Sequence, residues 1–133
     1  MPRQGGSFTN HGTGIETEPS SEGGMNVGWI ENADSTKVKG VAFGAGASSF
    51  TARVASGTSG GTIEVRLDSA TGTVVGRCGV QGTGGWQNWT TVTCPVTGAT
   101  GTHDVYFRFT GGSGYLFNMN WWQFIGPGGA RFG

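Results

Sequence analysis

Two tryptophans and an asparagine stand beside segments of turn composition. Trp29 follows Gly23-Gly24-Met25-Asn26-Val27-Gly28, Trp86 follows Gly84-Gly85, and Asn118 comes shortly after Gly111-Gly112-Ser113-Gly114. A large apolar ring at a loop edge is costly to expose unless a partner covers it. A pyranose has the matching chemistry: its C–H face stacks on an indole, and its hydroxyl rim meets both the donor and the acceptor of an amide. Such a receptor needs no charge. The competing reading makes either tryptophan an ordinary core residue, which for a single Trp is about as frequent.

Other chemistry finds less support. His11 and His103 have no metal-ligand spacing, and His103-Asp104, being neighbours, point to opposite faces of a strand. That argues against a metal hydrolase or a catalytic triad. A glycosidase needs only two carboxylates across a cleft, and among Glu16, Glu18, Glu22, Glu31, Asp34, Glu64, Asp68 and Asp104 the spacing leaves such a pair open. Gly82-Thr83-Gly84-Gly85 is followed by no helix that could hold a phosphate, so it reads as a hairpin turn.

The elements that must position these residues are strands. The chain has 133 residues, enough for one domain, with 28 Gly and only two Leu, Leu67 and Leu116. Its longest glycine-free run, Trp86 to Thr97, leaves no room for a long helix. Alternation is clearest in Phe50-Thr51-Ala52-Arg53-Val54, Ile63-Glu64-Val65-Arg66-Leu67 and Val105-Tyr106-Phe107-Arg108-Phe109. Turn chemistry separates these runs, at Ser59-Gly60-Gly61 and Asp68-Ser69-Ala70-Thr71-Gly72. The expectation is all-β, a two-sheet antiparallel sandwich of the jelly-roll type spanning 1–125, with 126–133 a linker-like tail after Gly126-Pro127-Gly128-Gly129.

Charged residues make up 12% of the chain, against about 25% in a typical domain, and eight Lys+Arg balance eight Asp+Glu. Seventeen Thr and ten Ser solvate the surface instead. A nearly neutral surface argues against nucleic acid and anionic membranes as partners. No apolar stretch reaches the length of a transmembrane helix. Cys78 and Cys94 end the runs Thr73–Cys78 and Trp89–Cys94. If those runs pair antiparallel, a disulfide closes a loop of about 17 residues, contributes about 3 kcal/mol and implies an exported protein. Two buried free thiols are the alternative.

Several motifs together resemble a family 6 carbohydrate-binding module. They are Glu16-Thr17-Glu18-Pro19-Ser20-Ser21-Glu22-Gly23-Gly24-Met25-Asn26-Val27-Gly28-Trp29-Ile30-Glu31-Asn32, then Ser49–Ser56, Gly84-Gly85-Trp86, Gly101–Tyr106 and Phe117-Asn118-Met119-Asn120-Trp121-Trp122. The match runs from about Gln4 to Phe124, in the family's order. The resemblance implies a non-catalytic β-sandwich appended to a secreted plant-wall or β-glucan hydrolase. It also implies that Trp29 and Trp86 sandwich a sugar in a cleft formed by loops at one end of the sandwich, with Asn118 and Glu18 as polar contacts.

Two departures carry consequences. Some members have a second cleft on the concave sheet face, with an aromatic just after Asn-Gly-Asp; here Asn32-Ala33-Asp34 precedes Ser35, so that cleft is expected to be weak or absent. The family also commonly holds a structural calcium, for which Gln4 and Asn120 fit, but Gly6 replaces the usual Glu. Calcium takes six to eight oxygens with carboxylates among them, so the site is expected to be weakened, with Glu22 or nearby carbonyls as replacement ligands; no cofactor is required for binding.

Stacking one sugar face buries about 100 Å², worth roughly 2.5 kcal/mol, and a few hydrogen bonds add about 1 kcal/mol each. Ordering the glycan subtracts, leaving micromolar to millimolar affinity. The expected function is binding of β-linked glycans, xylan and xylo-oligosaccharides first, then cellulose-type or β-1,3-glucan chains. The expected protein is a secreted monomer that targets an attached hydrolase. A small glycoside hydrolase or carbohydrate esterase is the first alternative, and an adhesion or structural sandwich with no sugar cleft, its Trp29 and Trp86 buried, is the second.

Overall fold

The computed structural model describes residues 9–10, 15–126 and 131–132. The described residues form eleven strands in chain order: β1 (Thr9–Asn10), β2 (Glu16–Pro19), β3 (Met25–Gly28), β4 (Ser35–Ala42), β5 (Ser49–Ser56), β6 (Gly60–Leu67), β7 (Thr73–Gln81), β8 (Gly85–Pro95), β9 (Thr102–Thr110), β10 (Asn118–Ile125) and β11 (Arg131–Phe132). Among the described residues there is no helix. One sheet is ordered β1-β4-β9-β6-β7 and the other β2-β3-β10-β5-β8, and every pairing is antiparallel. The expected two-sheet sandwich is what the chain forms. Within the 126–133 segment, β11 pairs with the end of β10, Phe132 opposite Phe124.

Alternation explains which face each strand buries. Ile63, Val65 and Leu67 on β6 and Val105, Phe107 and Phe109 on β9 turn inward, while Glu64, Arg66, Tyr106 and Arg108 between them turn outward. Across the core, β5 contributes Phe50, Ala52 and Val54, and β10 contributes Trp122 and Phe124. Phe50 sits 5.3 Å from Phe107 and 5.1 Å from Phe124, so aromatic contacts join the two sheets.

Cys78 and Cys94 form a disulfide, with Cα atoms 5.4 Å apart. The strands that carry them do not pair with each other, contrary to the expectation of an antiparallel hairpin. β7 is the edge of one sheet and β8 the edge of the other, so the cystine joins the two layers. The reason lies in the connection between them. The Thr83 amide donates to the Ser56 carbonyl at 2.9 Å, and the Ser56 amide donates to Thr83 Oγ1 at 2.8 Å. Residue 83 is thereby tied to β5, and the chain arches from one sheet to the other where a hairpin was expected.

Candidate functional site

At one end of the sandwich Trp29, Trp86, Tyr115, Asn118 and Glu18 line a single cleft of about 280 Å³. All four residues expected to contact a sugar are therefore brought together, from β2, the segment after β3, β8 and the start of β10. Trp29 and Trp86 are each 37% exposed, which rules out the reading of either as a core residue.

Each ring has its own support. Trp29 takes φ of 56°, a left-handed conformation that a bulky side chain rarely adopts. Its neighbour Ile30 is fully buried and accepts a hydrogen bond from the Leu116 amide at 2.8 Å, so the strained residue is held between a core anchor and the 111–117 loop. Trp86 lies against Gly57: a Cβ at that position would stand 2.7 Å from the indole, so only glycine permits this approach. One face of Trp86 is thus backed by main chain.

The polar groups are pre-set by one another. Asn118 is buried, and its Nδ2 donates to the Trp86 carbonyl at 2.7 Å and, more distantly, to Glu18 Oε1 at 3.5 Å. Gln87 Nε2 also donates to Glu18 Oε1, at 2.9 Å, and to Asn26 Oδ1 at 3.2 Å. Asn118 Oδ1 and Glu18 Oε2 accept no hydrogen bond among the described residues. From sequence, the amide is expected to meet a sugar through both donor and acceptor. In the structure its donor serves the protein, and the cleft offers two acceptors to ligand hydroxyls.

Sequence reasoning missed three contributors. Tyr115, 46% exposed, is a third aromatic wall, and its carbonyl accepts from Thr58 Oγ1 at 2.9 Å. It follows Gly114 directly, so the rule that picked out Trp86 would also have found it. Gln87 and Gly57 act through Glu18 and Trp86, and pattern alone gives no signal for either.

The other expected residues lie apart from the cleft. Asn120 is buried, its Oδ1 has no hydrogen-bond partner among the described residues, and its Nδ2 stands 3.4 Å from Glu22 Oε1. An orphaned amide oxygen beside a carboxylate suits a cation such as calcium, but the Arg53 guanidinium already clasps both Glu22 oxygens, at 3.1 and 2.8 Å. No group of three or more His, Cys, Asp or Glu side chains able to hold a metal occurs among the described residues. Gln4, Gly6 and His11 lie outside them. Ser35 opens β4 opposite Arg108, a small buried residue with no ring to offer. His103 and Asp104 do face opposite ways, the first to Asp68 and the second to Lys37 and the Gly40 amide.

The family model for carbohydrate binding module family 6 matches residues 7–126. An arabinoxylan arabinofuranohydrolase of Bacillus subtilis is 48% identical over 124 residues, covering 89% of this chain and 24% of that protein. The chain therefore spans about a quarter of that relative. Among solved structures, a family 6 module of Clostridium cellulolyticum in complex with xylose superposes with a TM-score of 0.85 at 58% identity, covering 89% of this chain and 91% of that one. A β-1,3-glucan-binding module of Bacillus halodurans gives 0.82 at 44% identity, covering 89% and 94%. On sequence and fold alike, the chain belongs to the family 6 carbohydrate-binding modules.

Proposed function

We propose that this module binds β-linked plant-wall polysaccharide in the Trp29–Trp86 cleft, xylan and xylo-oligosaccharides first and cellulose-type or β-1,3-glucan chains next. The observation that carries the reading is the convergence of two exposed indoles, distant in sequence, on one cleft that also holds the unused acceptors of Asn118 and Glu18. A sugar ring enters between the aromatic walls and its hydroxyls donate to those two oxygens. Xylan stands first because the solved relative with xylose and the arabinoxylan hydrolase are both close in sequence.

The module is non-catalytic in this account. Glycoside hydrolysis needs two carboxyl groups flanking the bond, and among the described residues Glu18 is the one carboxylate on the cleft lining. Weak reversible contact raises the local concentration of an attached hydrolase at its substrate, the role we assign to the parent protein. The disulfide supports an extracellular location, and a monomer is the state we propose. A structural calcium would take Asn120 Oδ1, with Gln4 as a further ligand and Glu22 contributing only by loosening from Arg53. A rise in melting temperature on adding calcium tests this.

Calorimetric titration against xylo-, cello- and laminari-oligosaccharides tests the main reading. Dissociation constants between about 1 μM and 1 mM for xylo-oligosaccharides, weakened in Asn118→Ala, are expected. Reducing sugar released from xylan by the isolated module would instead favour the hydrolase alternative.

A further inference from the structure

A second concavity lies on the flank of the sandwich, where the edge strands β7 and β8 face each other from different sheets. It is a groove of about 630 Å³, larger than the cleft and within the range of small-ligand sites. It lies between the Cys78–Cys94 cystine and the arch around Thr83, which is tied to Ser56. Both ends are therefore fixed by covalent or hydrogen bonds.

The geometry of β8 links this groove to the cleft. β8 keeps register with β5 from Pro95 opposite Ser49 to Thr90 opposite Val54, and regains it at Gly85 opposite Ser56. Residues 86–89 thus bulge out of the ladder, and a bulge re-aims side chains. Here it serves two places, since Trp86 lines the cleft and Asn88 lines the groove. Gln87, Trp89 and Thr91 are turned the other way: they bond to Glu18, Ser21 and Arg53 respectively. Asn88, Thr90 and Val92 remain as the β8 wall, about 13 Å of strand.

The lining is neutral and hydroxyl- and amide-bearing. Among the described residues none of its side chains is ionisable. The Gln81 amide and the Thr90 hydroxyl make no hydrogen bond among the described residues. Asn88 spends Nδ2 on the Thr83 carbonyl at 2.8 Å and keeps Oδ1 open. Gly79, on the β7 side, is a strand glycine that the backbone does not require: its φ lies outside the left-handed region, and a Cβ there would meet nothing within 4 Å. Such a glycine marks a place where a ligand comes close to the main chain. A polyol suits these groups, because each hydroxyl both donates and accepts. A paired peptide strand suits them less, because the β7 edge on the groove runs only from Gly79 to Gln81, short of the usual five to six residues.

We propose that the β7–β8 groove is a further glycan site, which takes the neutral polysaccharide chain where it continues past the β8 bulge from the cleft. The proposal rests on the polysaccharide reading of the cleft given above. With no aromatic pair to stack on, the groove binds weakly alone; a chain already held at Trp86 is supplied to it at high effective concentration. The module thereby favours long chains over short ones.

The test is heteronuclear NMR on the intact module with three additions: xylobiose, xylohexaose, and the neutral peptide acetyl-Thr-Val-Thr-Val-Thr-amide. Xylobiose should move the Trp29 and Trp86 indole signals only. Xylohexaose should also move the Gln81 and Asn88 side-chain amides and the Gly79 and Gly82 backbone amides, and the peptide should move none of these. Thr90→Tyr, which fills the groove, should weaken xylohexaose binding by roughly fivefold and leave xylobiose binding unchanged, with circular dichroism unaltered. Gln81→Ala should act in the same direction. Groove amides that stay still with xylohexaose while the indoles respond overturn this proposal and leave the cleft reading intact. Groove amides that answer the peptide instead of the sugar overturn it in favour of a protein partner. Indoles silent to both sugars remove the cleft reading itself, and this proposal with it.

Discussion

Trp29 combines the sugar-binding role with a backbone that its own side chain disfavours, and the two can be separated by comparing Trp29→Gly with Trp29→Ala. In most loops glycine is less stable than alanine by about 0.5 to 1 kcal/mol, because it has more freedom to lose on folding. At φ of 56° the order should invert. The left-handed region costs a residue bearing a Cβ about 1 to 2 kcal/mol, and glycine escapes that cost. Net of the entropy difference, Trp29→Gly should exceed Trp29→Ala in stability by about 1 kcal/mol, a difference of about 4 °C in melting temperature for a domain of this size. Both variants lose the contact that stacks on the sugar, worth roughly 2.5 kcal/mol, and should bind xylo-oligosaccharide about 70-fold less tightly. Thermal unfolding and calorimetric titration of the pair make the test. An alanine variant as stable as the glycine variant would refute the claim that the cleft stores backbone strain at this residue.

Gly57→Ala places a methyl group against the Trp86 indole and should displace the ring, lowering affinity by at least about tenfold with a fold intact by circular dichroism; unchanged binding would show that Trp86 is not fixed by this contact. The hydrogen bond that His103 Nδ1 donates to the Asp68 carboxylate raises the His103 pKa above its ordinary value, opposed by burial and assisted by the carboxylate charge. A raised folded-state pKa contributes stability that is present in full below about pH 6.5 and is lost as pH rises through the folded value. Since the pair is solvent-exposed the effect is under about 1 kcal/mol, so the melting temperature should fall slightly between about pH 5.5 and 8 and Asp68→Asn should remove that fall. Reducing the Cys78–Cys94 bridge should cost about 3 kcal/mol, read as a lower denaturation midpoint, and two titratable thiols in the native protein would contradict the bridge.

Glycine spacing and alternation made the sandwich legible in the sequence, since a strand such as Ile63–Leu67 declares its buried face residue by residue. Alternation does not say which strand is the neighbour. The Thr73–Cys78 and Trp89–Cys94 runs therefore looked like a hairpin, and only the Thr83–Ser56 hydrogen bonds reveal that the chain changes sheets there. Trp29, Trp86, Asn118 and Glu18 were legible because aromatic rings beside glycine turns are unusual and because their motifs resemble a known family. Gly57 and Gln87 were not, because one acts by having no side chain and the other by a hydrogen bond spanning 69 positions to Glu18.

The central claim is that Trp29 and Trp86 close on one sugar together. Titrating the module with xylotetraose while following tryptophan indole N–H signals tests this directly, with the fully buried Trp122 as internal reference. The account predicts that the Trp29 and Trp86 signals shift in concert, with one micromolar-to-millimolar dissociation constant, while Trp122 stays fixed. Shifts at only one of the two indoles, or at neither, would contradict it.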